Sequence, residues 1–226
     1  MHKLLLMDCQ AARVHVLACN GVRLVLEEQV AKTKKRAPAV IGVSDHGGWA
    51  VLMTVARGGT LLDRRRVELV EAGLPAMPHH HEGQKLPLPE AVALVERVRA
   101  SAERCAHARL AELASAVEVD GQAIEIVGIA LREAQSLPAT VAERLTDYRA
   151  MCVADWVMYR QALADAATAR GWSVHRYDAK QVFDDAARVL ERDSIDALLE
   201  ETRAAFGRPW QKDHRMAMAA AIAAGS

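Results

Sequence analysis

The stretch that decides the fold is residues 123–131, AIEIVGIAL. It is rich in β-branched residues, and Glu125 is its only charged position. A strand that helices cover on both faces has such a nearly continuous apolar pattern, whereas a strand with one face in water alternates. We therefore predict a central, parallel strand here, in a sheet with helices on both sides.

The residues upstream predict three antiparallel strands. Residues 39–44 and 49–55 are apolar runs, and turn-forming residues separate them at 45–48. A glycine-containing turn at 57–59 then leads into a third run, residues 60–70, which becomes more polar. This pattern is typical of a meander.

Helical patterns surround the central strand. Apolar residues recur every three or four positions from Pro89 to about Ala116, and a second long helix is predicted from Pro138 to Gly171, followed by a short strand at 172–177. Three further helices are predicted at about 179–191, 194–206 and 212–224. The predicted elements therefore follow one another in the order of the ribonuclease H-like fold: three strands, a helix, a strand, a helix, a strand and further helices. This is an α/β fold with a mixed five-stranded sheet flanked by helices.

The N-terminal residues have a different pattern. Asn20-Gly21 lies between two apolar runs, which is a strong hairpin signal. Residues 32–36 carry four positive charges and Pro38 follows, as in an exposed linker. We predict an N-terminal ribbon or extension with a basic linker over residues 1–38, and a ribonuclease H-like domain over 39–226. A poorly ordered extension is the alternative, since an isolated two-stranded ribbon is marginal in water.

Composition limits the partners. Lys and Arg total 29, as do Asp and Glu, so no net charge attracts nucleic acid or anionic membrane, although a local basic groove is compatible with this balance. The apolar runs are shorter than the roughly 18 residues that span a bilayer. Four widely spaced cysteines without a CxxC pair suit a reducing compartment. We expect a cytoplasmic protein without a membrane partner.

Two patches resemble the RuvC-like branch of the ribonuclease H-like superfamily. Residues 41–51, IGVSDHGGWAV, resemble its first hairpin, and residues 212–222, KDHRMAMAAAI, resemble its last helix. The resemblance implies a nuclease or resolvase-like enzyme that hydrolyses phosphodiester bonds in DNA or RNA with divalent metal ions. Two-metal hydrolysis requires hard oxygen ligands that bridge Mg²⁺ or Mn²⁺ ions.

Three carboxylates are the candidates for catalysis: Asp45, Glu133 and Asp213. The resemblance implies that the first strand, the fourth strand and the last helix supply them, with Asp45 and Asp213 as metal ligands. Two departures from the family pattern stand against it. In the family an aspartate lies within the first strand, whereas here Ser44 occupies that position and Asp45 follows one residue later. The family's last helix often carries a second acidic residue, and here Met216 stands at that position. A turn role for Asp45 and an N-cap role for Asp213 are the structural alternatives.

The string PHHHE at residues 78–82 is the most unusual in the chain. With His46 and His214, His79 is predicted to reach one rim of the sheet near the aspartates and to act as a metal ligand. Imidazole ligands would favour Mn²⁺, Fe²⁺ or Zn²⁺ over Mg²⁺. The alternative is a solvent-exposed loop.

Three consecutive arginines, Arg64, Arg65 and Arg66, are candidates for binding nucleic-acid phosphates, and the alternative is a charged edge strand that resists aggregation. Three functional hypotheses follow: a divalent-metal-dependent nuclease, a degenerate non-catalytic binding module, or a His-rich metal-binding protein. A homodimer is compatible with each of them.

Overall fold

The computed structural model describes residues 15–19, 22–26, 38–119 and 122–225. By its contacts the chain divides into two compact units, residues 1–35 and 36–226. In the first unit, β1 (His15–Cys19) pairs antiparallel with β2 (Val22–Leu26), so the predicted N-terminal ribbon is present. The predicted basic linker, residues 32–36, lies outside the described residues.

The second unit is built on a mixed five-stranded sheet. The meander strands are β3 (Pro38–Asp45), β4 (Trp49–Ala56) and β5 (Thr60–Glu68). A two-stranded ribbon of β6 (Glu118–Val119) and β7 (Gln122–Ala123) precedes the remaining sheet strands, β8 (Glu125–Arg132) and β9 (Ser173–Tyr177).

The strand order is β5-β4-β3-β8-β9, with β4 antiparallel to both of its neighbours and with β3, β8 and β9 parallel to one another. This is the ribonuclease H-like arrangement. The predicted central strand is therefore confirmed: β8 lies between two parallel partners, and its residues 128–131 are buried, although Val127 is exposed.

In the described part of the second unit there are six α-helices: α1 (Leu88–Ala116), α2 (Val141–Thr146), α3 (Tyr148–Thr168), α4 (Val182–Val189), α5 (Asp196–Phe206) and α6 (Lys212–Ala224). The single helix predicted from Pro138 is two helices. Asp147 leaves helical geometry between them, and its carboxylate accepts hydrogen bonds from the amides of Arg149 (2.9 Å) and Ala150 (3.3 Å). These bonds cap the start of α3.

Two apolar cores lie on opposite faces of the sheet. One contains Ile41 and Val43 of β3 together with α1 and α3, and the other contains Met53 of β4 together with α4, α5 and α6. Because side chains alternate along a strand, Gly42 faces the α6 side. Within the described part of the chain, no helix combines the length and the apolar character needed to cross a membrane.

Helix α6 approaches β3 closely at Gly42. A Cβ atom at this position would overlap the carbonyl oxygen of Ala217 and lie 2.7 Å from the amide nitrogen of Ala221, and both are backbone atoms of α6. Backbone atoms in a packed helix cannot turn aside as a flexible side chain does. Glycine at position 42 therefore sets the distance between α6 and the sheet.

We predict that Gly42→Ala lowers the free energy of unfolding by at least about 2 kcal/mol, because the methyl group forces the helix away from the strand. Urea denaturation measures this. Gly47→Ala is the matched control, since its new Cβ mainly meets the flexible side chain of Met77. Equal losses in the two variants would contradict the role of the helix backbone.

Candidate functional site

The end of β3 directs two consecutive polar side chains to opposite faces of the sheet. Ser44 faces α6, where its hydroxyl donates a hydrogen bond to Asp213 Oδ1 (2.9 Å). Asp45 faces α3, where its carboxylate Oδ2 accepts a hydrogen bond from Arg160 Nε (2.8 Å). The period of two along a strand therefore separates the two aspartates that the sequence places at this end of the sheet.

The Asp45–Arg160 ion pair is buried. Its side chains are 1% and 10% exposed, and Arg160 Nη1 also donates to the carbonyl oxygen of Glu133 (3.2 Å). Arg160 thus joins the ends of β3 and β8 to α3. Within the described part of the chain, Asp45 Oδ1 is buried without a hydrogen-bond partner, and Arg160 is the group that pairs with this carboxylate.

The three candidate carboxylates do not share an environment. Glu133 follows the end of β8 and is exposed, whereas Asp213 lies in the first turn of α6 and binds Ser44 and the His46 ring (Nε2 to Oδ1, 3.0 Å). Among the residues that the structure describes, no three His, Cys, Asp or Glu side chains form a group that could hold a metal ion. The residues present therefore do not fit a two-metal centre.

Tyr177, the last residue of β9, forms a hydrogen bond to β3 near this end of the sheet. Its hydroxyl donates to the carbonyl oxygen of Val43 (2.7 Å) across the intervening strand β8. Burial raises the pKa of Tyr177 to about 12, so the hydroxyl stays a proton donor over the physiological range.

Next to Asp213, three side chains form a stack on the surface. The rings of His46 and Trp49 are 4.0 Å apart and nearly parallel, and the Arg66 guanidinium lies 4.0 Å from the centre of the Trp49 ring. Arg66 is 58% exposed. The stack therefore holds an exposed cation in a defined orientation by cation–π attraction.

The three consecutive arginines have three different environments. Arg64 donates to the carbonyl oxygens of Gly207 (2.9 Å) and Pro209 (2.8 Å) and so fixes the loop before α6. Arg65 pairs with Asp63 (2.7 Å). Only Arg66 presents a largely exposed guanidinium, although it also contacts Glu68 (3.1 Å).

His79 lies in the interior, in a π-helical turn at Pro78–Glu82. Its Nδ1 donates to Asp155 Oδ1 (2.8 Å), and Asp155 also accepts the backbone amides of His79 and His80, each at 3.0 Å. Because Asp155 belongs to α3, this turn is held on the face of the sheet opposite to α6. The predicted convergence of His79 with His46 and His214 is therefore not seen among these contacts.

The contacts of His214 are with the segment that precedes α6. Its Nδ1 accepts the backbone amide of Gln211 (3.1 Å), and its ring stacks on Trp210 with 6.0 Å between the ring centres. Burial, and then the nearby Arg64 guanidinium, lower the pKa of His214, whereas Asp213 opposes the shift. The neutral ring at the start of α6 is therefore favoured.

Two residues that organise this end of the sheet, Asp155 and Arg160, were missed by the sequence analysis. The signal was present: both are charged residues spaced four positions from aromatic residues of the same helix, Tyr159 and Trp156. A charge on an apolar helix face requires a buried partner.

Burial and the neighbouring Asp155 raise the pKa of Tyr159, whose hydroxyl donates to the carbonyl oxygen of Ala76 (2.8 Å).

Comparisons with known proteins concern only the fold. No protein-family model and no curated protein sequence matches the chain. Among solved structures, it is similar to Thermus thermophilus RuvC in complex with a Holliday junction substrate, with 16% identity, a TM-score of 0.43, and coverage of 82% of this chain and 90% of that chain. A second T. thermophilus RuvC structure gives 16% identity, a TM-score of 0.40, and coverage of 82% and 92%.

We predict that Arg160→Met lowers the free energy of unfolding by about 3–5 kcal/mol, because it leaves the Asp45 carboxylate buried without its partner. Adding Asp45→Asn should restore part of the loss. Urea denaturation compares both variants with Arg99→Met, which breaks an exposed pair with Glu96 and should cost less than about 0.5 kcal/mol. An Arg160 effect as small as the Arg99 effect would contradict the prediction.

We predict that Asp155→Ala costs about 3 kcal/mol or more, because two backbone amides and the His79 ring lose their acceptor in the interior. Asp155→Asn keeps one acceptor oxygen and should cost less. Asp165→Ala, at an exposed position of the same helix, serves as the control in thermal and urea denaturation. Similar losses for the Asp155 and Asp165 variants would refute the anchoring role.

Proposed function

We propose that this chain is a non-catalytic ribonuclease H-like module that binds nucleic acid. The observation that carries the proposal is that Asp45 and Asp213 face opposite sides of the sheet, where Asp45 pairs with Arg160 and Asp213 binds Ser44. Phosphodiester hydrolysis by two metal ions requires carboxylates that bridge both ions. At this end of the sheet Arg160 lies beside Asp45 instead.

The contacts next to Asp213 support a binding surface. We use the name "rim" for the surface formed by Arg66, Trp49, His46 and the loop 206–209, which Arg64 fixes. Arg66 and Trp49 supply a cation and an aromatic ring, and the carboxylates of Glu68 and Asp213 contact Arg66 and His46. Arg208 of the same loop is exposed. Cations combined with aromatic side chains are typical of surfaces that follow a phosphate backbone.

The balanced total charge is compatible with this surface. Many arginines are neutralised elsewhere by acidic neighbours, such as Arg104 by Glu71 (2.7 Å) and Arg109 by Glu112 (2.7 Å) on α1. Within the rim, Arg66 also pairs with Glu68 (3.1 Å), so its charge is partly compensated, and we expect weak, salt-sensitive binding without strong long-range steering.

Fluorescence anisotropy with labelled single-stranded DNA, single-stranded RNA, duplex DNA and a four-way DNA junction tests the proposal. We expect binding to at least one probe, with an affinity that falls as the salt concentration rises. Incubation with Mg²⁺ or Mn²⁺ should leave every probe intact. Metal-dependent cleavage that Asp45→Asn or Asp213→Asn abolishes would establish a nuclease instead, and no binding to any probe would refute the module.

We predict that Arg66→Ala weakens binding to every probe and reduces the slope of log affinity against log salt by about one, as the loss of one phosphate contact requires. Arg99→Ala, on the exposed side of α1, is the matched control and should leave both quantities unchanged. If the two variants bind alike, the interface does not lie at the rim.

A further inference from the structure

The loop between α5 and α6 carries an exposed aromatic ring. Only two of the phenylalanine, tyrosine and tryptophan side chains in the described part of the chain are exposed: Tyr148, at the start of α3, and Phe206, which ends α5 and is 41% exposed. Of these two, Phe206 belongs to the rim. A single exposed apolar side chain is common on protein surfaces, so its function depends on the groups around it.

Arg64 of β5 holds this loop in a fixed position. Its guanidinium donates hydrogen bonds to the carbonyl oxygens of Phe206 (3.3 Å), Gly207 (2.9 Å) and Pro209 (2.8 Å). Gly207 has a φ of 70° and a ψ of −166°, a conformation that glycine adopts without strain. Three backbone oxygens bound to one side chain restrict the loop, whereas the side chains of Phe206 and Arg208 remain exposed to solvent.

A second exposed cation lies beside the loop. Arg64 and Arg66 are two positions apart on β5, so their side chains leave the same face of the sheet about 7 Å apart. Arg66 packs on Trp49 from the β5 side, and His46 stacks on the same ring from the β3 side. The indole of Trp49 therefore lies between two side chains, and Phe206 offers the aromatic ring surface of the rim to a ligand.

Arg208 supplies the charge next to this ring. It is exposed, and the neighbouring ion pair of α5, Arg203 with Glu200 (2.6 Å), does not involve it. Proteins hold single-stranded nucleic acids by stacking bases on aromatic rings and by pairing the phosphates with cations. In a duplex each base is covered by its neighbours, so a ring on the protein surface stacks on bases that are unpaired.

We propose that the loop 206–209 holds an unpaired base of a single-stranded nucleic acid, with the base stacked on Phe206 and a neighbouring phosphate bound by Arg208. The inference rests on the proposed function, because it assigns the kind of nucleic acid that the rim binds. The rim then prefers single strands to duplexes. The stacking contact tolerates different bases, since every base has a flat face.

Fluorescence anisotropy with three labelled probes at one salt concentration tests the proposal. The probes are single-stranded oligothymidylate, a strand of the same length that lacks bases, and a duplex of oligothymidylate with oligodeoxyadenylate. The strand without bases keeps the phosphates and cannot stack. We expect the full chain to bind the single strand at least about 5-fold more tightly than either of the other probes, which is the lower limit of one stacking contact.

The outcomes separate this inference from the proposed function. Equal or tighter binding of the duplex, or of the strand without bases, would overturn the stacking assignment and leave nucleic-acid binding in place. No binding to any of the three probes, nor to RNA or a junction, would overturn both.

The variant Phe206→Leu keeps an apolar side chain and removes the aromatic face. We expect it to bind the single strand about 5- to 100-fold more weakly and to bind the strand without bases as the unaltered chain does. Phe206→Tyr keeps the ring and should retain the affinity. Tyr148→Leu removes the other exposed aromatic side chain, on α3, and is the matched control that should change neither affinity.

Two results would refute the role of the ring. One is single-strand binding by Phe206→Leu that equals that of the unaltered chain. The other is an equal loss of affinity for the strand without bases, since this would show that the substitution disturbs the loop and does not remove a stacking contact.

Discussion

The close contact between Gly42 of β3 and the backbone of α6 is the constraint on which this end of the molecule depends. Because Gly42 has no Cβ, the backbone of α6 packs directly against the backbone of β3. Its first turn then reaches the end of β3, where Asp213 meets Ser44 and His46. A residue larger than glycine would raise the helix and withdraw Asp213 from these donors. The packing of one residue therefore decides which side chains meet at the rim.

On the other face, the Asp45–Arg160 pair gives this sheet end its electrostatic character. A guanidinium is a delocalised single positive charge that donates hydrogen bonds and has no vacant coordination position. A divalent ion, in contrast, can bind and activate water and stabilise a leaving oxygen. With Arg160 fixed against Asp45 and the Glu133 carbonyl, this group joins the ends of β3 and β8 to α3.

Much of the fold could be predicted because local patterns specify it. The apolar run of β8 predicts a central strand, and the three-and-four spacing of α1 predicts its amphipathic helix. The break between α2 and α3 was missed because Asp147 ends one helix and caps the next without a glycine or proline to signal it. The site was predicted only in part. The topology predicts that Asp45 and Asp213 lie at the same end of the sheet. Their partners depend on which face of β3 each residue occupies and on long-range contacts, since Asp45 and Arg160 are 115 positions apart and Ser44 and Asp213 are 169 positions apart.

The histidine string shows why composition alone could not decide its role. A tract of histidines is equally typical of a solvated loop and of a metal site. In this fold one aspartate of α3, Asp155, accepts three hydrogen bonds from the turn and draws His79 into the core. Among the residues that the structure describes, Nε2 on the other side of the ring is buried without a partner. The aspartate thus sets the position of the ring, while the Asp45–Arg160 pair formed by the same helix fixes the strand end. Both features of α3 place buried charge where it organises the chain: Asp155 holds the histidine turn, and Arg160 joins the ends of β3 and β8.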